Sequence, residues 1–185
     1  MEDPSRLYHP GNRALQDAFD GRRVADALEK HRRHEAFWDD DIALIHAAPF
    51  FFIASGAEGR MDVSFKGGAP GFVRVTGPAT LEWEELDGNS MYLTLGNLAV
   101  NPSCALLFMR FDGASLRLRV RGQAQVTGKQ VRVTATDIFP NCPRYIPDLG
   151  TGTPSAYLDP GVAPAWKSRD YVRDILPADD PHKPA

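Results

Sequence analysis

The chain is poor in cysteine, with only Cys104 and Cys142 among its 185 residues. Two thiols make no disulfide framework, and nothing around them points to an oxidising compartment. It has no excess of basic residues either. Lys and Arg number 21 against 24 Asp and Glu, a net charge of -3, which leaves no broad basic face for a nucleic-acid backbone. Long hydrophobic runs are missing: the longest, Ile42 to Ser55, is too short and too interrupted to span a bilayer. The start, Met1-Glu2-Asp3-Pro4, carries neither a basic nor an apolar segment, so no signal peptide is expected. Phosphate and nucleophile signatures of fixed spacing are also missing: G-x-x-x-x-G-K-[ST], G-x-S-x-G, and G-x-G-x-x-G after a strand. His31 and His34 stand in the cationic stretch Lys30-His31-Arg32-Arg33-His34, which repels a metal ion. What remains is a cytoplasmic globular chain, 43% hydrophobic, of a length that suits one domain with one core.

The pattern along the chain predicts a mainly β domain. An N-terminal arm and helices occupy residues 1–37, a β core residues 38–139, and a proline-rich C-terminal extension of the same domain residues 140–185. Residues 13–37 read as helix, with Leu15, Phe19, Val24 and Leu28 as an apolar stripe and Gly21 as a break. Asp39-Asp40-Asp41 reads as a helix end or a solvated turn. From Pro49 the period changes. Phe50 to Ala54, Arg60 to Lys66, Phe72 to Thr76, Thr80 to Glu84 and Ser103 to Phe111 read as strands. Leu116 to Arg121 alternates strictly, with Leu116, Leu118, Val120 and Ala124 on one face and Arg117, Arg119 and Arg121 on the other. Val131 to Ala135 alternates similarly. Met91 to Val100 reads as one helix capped by Asn89 or Ser90 and stopped at Asn101-Pro102. Short links between strands, and the need to hide strand edges, argue for a closed antiparallel barrel with helices outside.

Two segments suit an anion. Ser64-Phe65-Lys66-Gly67-Gly68 ends a strand in a glycine loop and offers a hydroxyl, an ammonium and approachable amides. It also reads as a plain turn with an exposed lysine. Gly88 to Asn97 places polar side chains and amides at a helix N-terminus, where unpaired N–H groups and the dipole attract anions. Ordinary N-capping explains that segment equally. The arginines of Leu116 to Arg121 suit a phosphate, a partner or plain solvent. In Asn141-Cys142-Pro143-Arg144-Tyr145, packing accounts for Cys142, and Arg144 is the better candidate for a ligand or interface contact.

In order and spacing, several strings resemble the pyridoxamine 5'-phosphate oxidase-like family of FMN-binding split barrels. They include Asp62-Val63-Ser64-Phe65-Lys66-Gly67-Gly68 with Pro70 to Val75, Asp87-Gly88-Asn89 with Leu95-Gly96-Asn97, Asn101-Pro102, Leu106-Leu107-Phe108, Leu116 to Val120, and Phe139 to Ile146. The match runs from about residue 8 to residue 170. It implies a six-stranded antiparallel split β-barrel, a homodimer with cofactor sites at the interface, and FMN as cofactor. It implies flavin contacts from Val63, Ser64, Phe65, Lys66 and Gly67, and completion of the phosphate site by Asn89, Tyr92, Thr94, Leu95 and Asn97. The acidic, proline-rich end Pro177 to Ala185 departs from the basic, apolar tail of the true vitamin B6 oxidase, which argues against pyridoxamine phosphate as substrate. The expected function is an FMN-dependent oxidoreductase that passes hydride between the flavin and a nicotinamide or small organic substrate. F420- or haem-binding barrels and a non-catalytic flavin sensor are the alternatives.

Overall fold

The computed structural model describes residues 5–86, 88, 90–112 and 116–184. The chain forms two compact units. One comprises Met1–Arg33, Phe111–Ser115 and Cys142–Ala185; the other comprises His34–Arg110 and Leu116–Asn141.

The first, terminal unit carries α1 (Pro10–Ala18) and α2 (Arg22–Arg32). The break between them falls at Gly21, as the sequence suggests, and Asp20 turns the chain there in the left-handed region at φ 50. The predicted apolar stripe is only half used: Val24 is buried, while Leu15 and Phe19 are exposed. Helix also stops short of residue 37, because Arg33 is extended and His34 makes a bridge to Ile138. The core of this unit is Val24, Val172 and Leu176, flanked by Leu28, Trp166, Tyr171 and Ile175. The arm is tied down by Glu29, which accepts from the Ser5 hydroxyl at 2.7 Å and from the amides of Arg6 and Leu7 at 2.8 and 3.1 Å. Short 3₁₀ turns at Ala156–Leu158, Ala165–Ser168 and Arg173–Ile175 are the regular structure of the proline-rich segment.

The second, barrel unit is mainly β with flanking helices. It contains α3 (Asp39–Ala47), β1 (Phe50–Ala57), β2 (Arg60–Gly67), β3 (Arg74–Gly77), β4 (Thr80–Glu84), α4 (Leu93–Val100), β5 (Ser103–Met109), β6 (Arg117–Thr127) and β7 (Gln130–Pro140). The strands form one antiparallel sheet in the order β2-β1-β5-β6-β7-β4-β3. That is seven strands where six were expected. Six is the count the family resemblance implies; the strand segments read from the pattern already include the one at Phe72 to Thr76, seen here as the four-residue β3 folded back on β4 by the turn at Gly77. Asp39-Asp40-Asp41 is the first turn of α3, where carboxylates meet the positive end of the helix dipole. The Asp41 carboxylate accepts from the Trp38 amide at 2.9 Å and from His34 Nε2 at 2.6 Å.

The sheet is rolled. β1 and β4 are four strand steps apart, about 19 Å in a flat sheet. Yet the rings of Phe51 on β1 and Trp83 on β4 meet edge to face at 5.1 Å. With Phe108 and Phe72 against Phe51, they centre a core that also holds Ile53, Leu81, Leu106, Val120, Val131 and Ile138. The alternation read in β6 is the physical one: Leu118, Val120 and Ala124 are buried and the arginines face out. Gly122 sits at a register shift in β6, and a Cβ there would lie 2.4 Å from the Thr134 carbonyl oxygen. Only glycine fits that bulge. No helix of the described residues is long and apolar enough to cross a membrane.

Candidate functional site

Residues directly opposite in an antiparallel pair share a face. Ser64 pairs with Ile53 and Lys66 with Phe51, both in the core, so Ser64 and Lys66 belong to the inner face of β2. Val63 and Phe65 pair with Ala54 and Phe52 and belong to the outer face. A cavity of about 590 Å³ opens at the end of β2, lined by Ser64, Phe65, Lys66 and Gly67. Its other walls are Phe72, Trp83, Glu84, Glu85, Leu86, Gly88, Lys129 and the stretch Ser90 to Leu95. The two anion-prone segments of the sequence therefore border one cleft.

The helical side differs from expectation. α4 starts at Leu93, two residues later than predicted, because Ser90 and Tyr92 both adopt left-handed backbone, at φ 61 and 50. Tyr92 is the N-cap and supplies no side-chain acceptor to the first turn, so the predicted capping by Ser90 does not occur. Asn89 lies outside the described residues. Left-handed backbone at a non-glycine residue costs on the order of 1–3 kcal/mol and concentrates at functional sites. Among the described residues, no N-cap side chain bonds to the first turn of α4, whose residues border the cleft.

The polar groups around the cleft are largely engaged with each other. Thr94 Oγ1 donates to Ser64 Oγ at 3.0 Å, and Ser64 Oγ donates to Asp62 Oδ2 at 2.7 Å. That chain seats the first turn of α4 against β2. Lys66 Nζ lies 2.8 Å from Glu85 Oε2, while the Trp83 indole donates to Glu85 Oε1 at 3.0 Å. The lysine is thus no exposed turn residue; it is half of a largely buried ion pair. Gly67 and Gly68 have a packing reason: Cβ atoms there would stand 2.8 and 2.6 Å from the rings of Phe65 and Phe72.

Of the residues named from sequence, Ser64, Phe65, Lys66, Gly67, Tyr92, Thr94 and Leu95 border the cleft. Val63 points to the outer face. Asn97 donates to Ser55 Oγ at 3.2 Å and is not part of the lining. Arg144 belongs to the terminal unit, where it lines a separate cavity of about 600 Å³ with Tyr145, Lys167 and Asp180. Its Nε donates to Cys142 Sγ at 3.3 Å, and the Trp166 indole does so at 3.2 Å. The sequence reading missed Phe72, Trp83, Glu84, Glu85 and Lys129. No local pattern marks them, since strand order alone brings them to the end of β2.

The arginine row lies elsewhere, on the outer face of the sheet. Arg119 is paired with Leu107 and Phe139, and Arg121 with Ala105 and Asp137. Burial, with the like charges of Arg117 and Arg121, lowers the pKa of Arg119. The Arg121 guanidinium stands 5.4 Å from the centre of the Phe139 ring. Across the same face, Met61, Val63 and Phe65 on β2 are 79%, 70% and 61% exposed. The Phe65 ring meets those of Phe50 and Phe52 at 5.3 and 5.9 Å.

No family model matches the chain, and no curated protein matches it. Among solved structures, it is similar to a candidate pyridoxamine 5'-phosphate oxidase from Lactobacillus delbrueckii, at 16% identity and a TM-score of 0.45, over 58% of this chain and 98% of that one. It is similar to an FAD-binding protein from Mycobacterium smegmatis at 15% identity and a TM-score of 0.41, over 58% and 95% of the two chains. A third is an FMN-binding protein from Syntrophomonas wolfei, at 11% identity and a TM-score of 0.40, over 69% and 95%.

Proposed function

We propose that the barrel unit binds a flavin, FMN, in the cleft between the end of β2 and the N-terminus of α4. The observation that carries this reading is the convergence of both anion-prone segments on one cavity. Its volume lies within the range of about 300–1,000 Å³ usual for small-molecule sites. Phe65, Phe72, Trp83, Tyr92 and Leu93 offer apolar and aromatic wall to a planar ring. The first-turn amides of Leu93 to Leu95 and the Lys66 ammonium offer donors to a phosphate. When bound, the isoalloxazine ring supplies hydride chemistry, and an oxidoreductase exchanging hydride with a nicotinamide or small organic substrate is the activity that fits. The chain's own part is to hold the ring edge against β2 and the phosphate at the helix end.

A second copy of the chain packs on the outer face in this reading. Met61, Val63 and Phe65 with the Phe50 and Phe52 rings form an apolar row on a sheet face, and such surfaces are normally covered. Phe65 borders both that face and the cleft, so a partner there stands beside the ligand.

The absorption spectrum of purified protein tests the reading. Flavin bands, with FMN released on denaturation, support it. A colourless protein that leaves the fluorescence of added FMN unchanged sinks it. Bleaching of the bound flavin by NADH or NADPH separates an oxidoreductase from a sensor.

A further inference from the structure

We propose that Asp62, Ser64 and Thr94 form a one-way hydrogen-bond chain through which this wall of the cleft reads a hydroxyl of the ligand, with Asp62 setting the direction. The inference rests on the flavin reading above and goes further, to the ribityl chain that joins the ring to the phosphate.

The direction follows from which groups can donate. An ionised carboxylate only accepts, whereas a hydroxyl has one proton to give and two lone pairs. Ser64 Oγ lies 2.7 Å from Asp62 Oδ2, the length of a charge-assisted O–H···O bond. The single Ser64 proton therefore points at Asp62. Thr94 Oγ1, 3.0 Å from Ser64 Oγ, must then be the donor of the second bond. Both protons are directed away from the cleft, although both residues border it. What the two oxygens turn to a ligand is lone pairs alone. Thr94 is only 3% exposed, so little water reaches it in place of a ligand donor. A phosphate oxygen is itself an acceptor and finds no donor in this pair, which leaves it to the α4 amides and Lys66. The Ser64 hydroxyl that the sequence offers to an anion is thus already given to Asp62.

Position indicates which part of the ligand is read. Ser64 stands on β2, which holds the ring edge, and Thr94 stands in the first turn of α4, which holds the phosphate. Their mutual bond links these two ends of the site, so the stretch of ligand between ring and phosphate crosses it. In FMN that stretch carries hydroxyls, each with a proton to donate. Asp62 is not part of the lining. It is a positioning residue, acting through Ser64 and Thr94.

Calorimetric titration of the full chain with FMN, and with the FMN analogues that each carry fluorine in place of one ribityl hydroxyl, tests the proposal. Fluorine is close to a hydroxyl in size but donates no hydrogen bond. At least one analogue should bind about tenfold more weakly than FMN, because a buried acceptor is left without its donor. In Asp62→Asn the carboxamide can donate to Ser64, both bonds can reverse, and Thr94 can donate into the cleft. There the ratio of analogue to FMN affinity should come within about threefold of unity. Thr94→Val should abolish the discrimination and Thr94→Ser should keep it, whereas a merely structural Thr94 would shift FMN and analogue alike. Analogues that all bind as FMN does, or a discrimination undiminished in Asp62→Asn, overturn the proposal while leaving flavin binding intact. If FMN itself does not bind, the flavin reading falls and this inference with it.

Discussion

Replacing Lys66 by methionine removes the ammonium and keeps most of the stem. In the native protein that ammonium sits 2.8 Å from Glu85, and the two side chains are only 16% and 12% exposed. Deleting one partner of a fully buried pair costs about 3–5 kcal/mol, because the other charge is left uncompensated. Here the Trp83 indole still donates to Glu85, and water reaches the rim of the pair. A folding cost of about 2–3 kcal/mol is therefore expected, which lowers Tm by roughly 4–12 °C in a chain of this size. Ligand binding suffers separately. A charge-assisted phosphate contact contributes about 1.5–3 kcal/mol, so the Kd for FMN should rise about 10- to 150-fold. The double variant Lys66→Met/Glu85→Gln discriminates the two effects. With no orphaned carboxylate it should regain stability to within about 1 kcal/mol of the native protein. Its FMN affinity should stay about tenfold or more below that of Glu85→Gln alone. Urea denaturation reads the first quantity and quenching of flavin fluorescence the second. If Lys66→Met unfolds at the native urea midpoint and binds FMN as the native protein does, Lys66 is neither the partner of Glu85 nor a ligand of the phosphate, and the site assignment is wrong.

Gly122→Ala drives a Cβ to 2.4 Å from the Thr134 carbonyl oxygen across β6 and β7, so a loss of about 3 kcal/mol or more in urea denaturation is expected; a native-like midpoint would mean the bulge relaxes freely. Met61→Lys with Val63→Lys puts two charges on the exposed β2 face and should turn a dimer into a monomer in light scattering, with the circular dichroism of the sheet unchanged. An unaltered mass would place the second copy elsewhere. The N-terminal arm should detach in acid. Burial raises the pKa of Glu29, but the Ser5 hydroxyl and the Leu7 and Arg6 amides outweigh it and hold the carboxyl below its ordinary 4.5. Because the folded value is depressed, the arm's anchorage is fully present above pH 4.5 and is lost as pH falls through the lowered value. Limited proteolysis with a protease active at both acid and neutral pH should therefore cut near residue 6 only in acid, and Glu29→Gln should be cut there at neutral pH as well. Equal resistance of that variant would show that other contacts hold the arm.

Local rules determined a good part of this protein from sequence. The alternation of Leu118, Val120 and Ala124 against the arginines predicts the inward face of β6, because side chains of a strand alternate whatever surrounds it. The turn Ala57-Glu58-Gly59 predicts the β1–β2 hairpin, which closes with Glu58 at φ 52 and Gly59 at φ 78. The break at Gly21 and both anion-prone segments are legible for the same kind of reason: each depends on residues within a few positions of one another. Tertiary structure alone decided what surrounds Lys66. β4 lies five places from β2 in the sheet, and rolling of the sheet brings Glu85 and Trp83 to the end of β2. No spacing along the chain encodes that meeting, because it depends on the order of the strands and on the closure of the core around Phe51. So the sequence marked Ser64-Phe65-Lys66-Gly67-Gly68 as a place for an anion, and only the fold revealed that a carboxylate already stands beside its lysine.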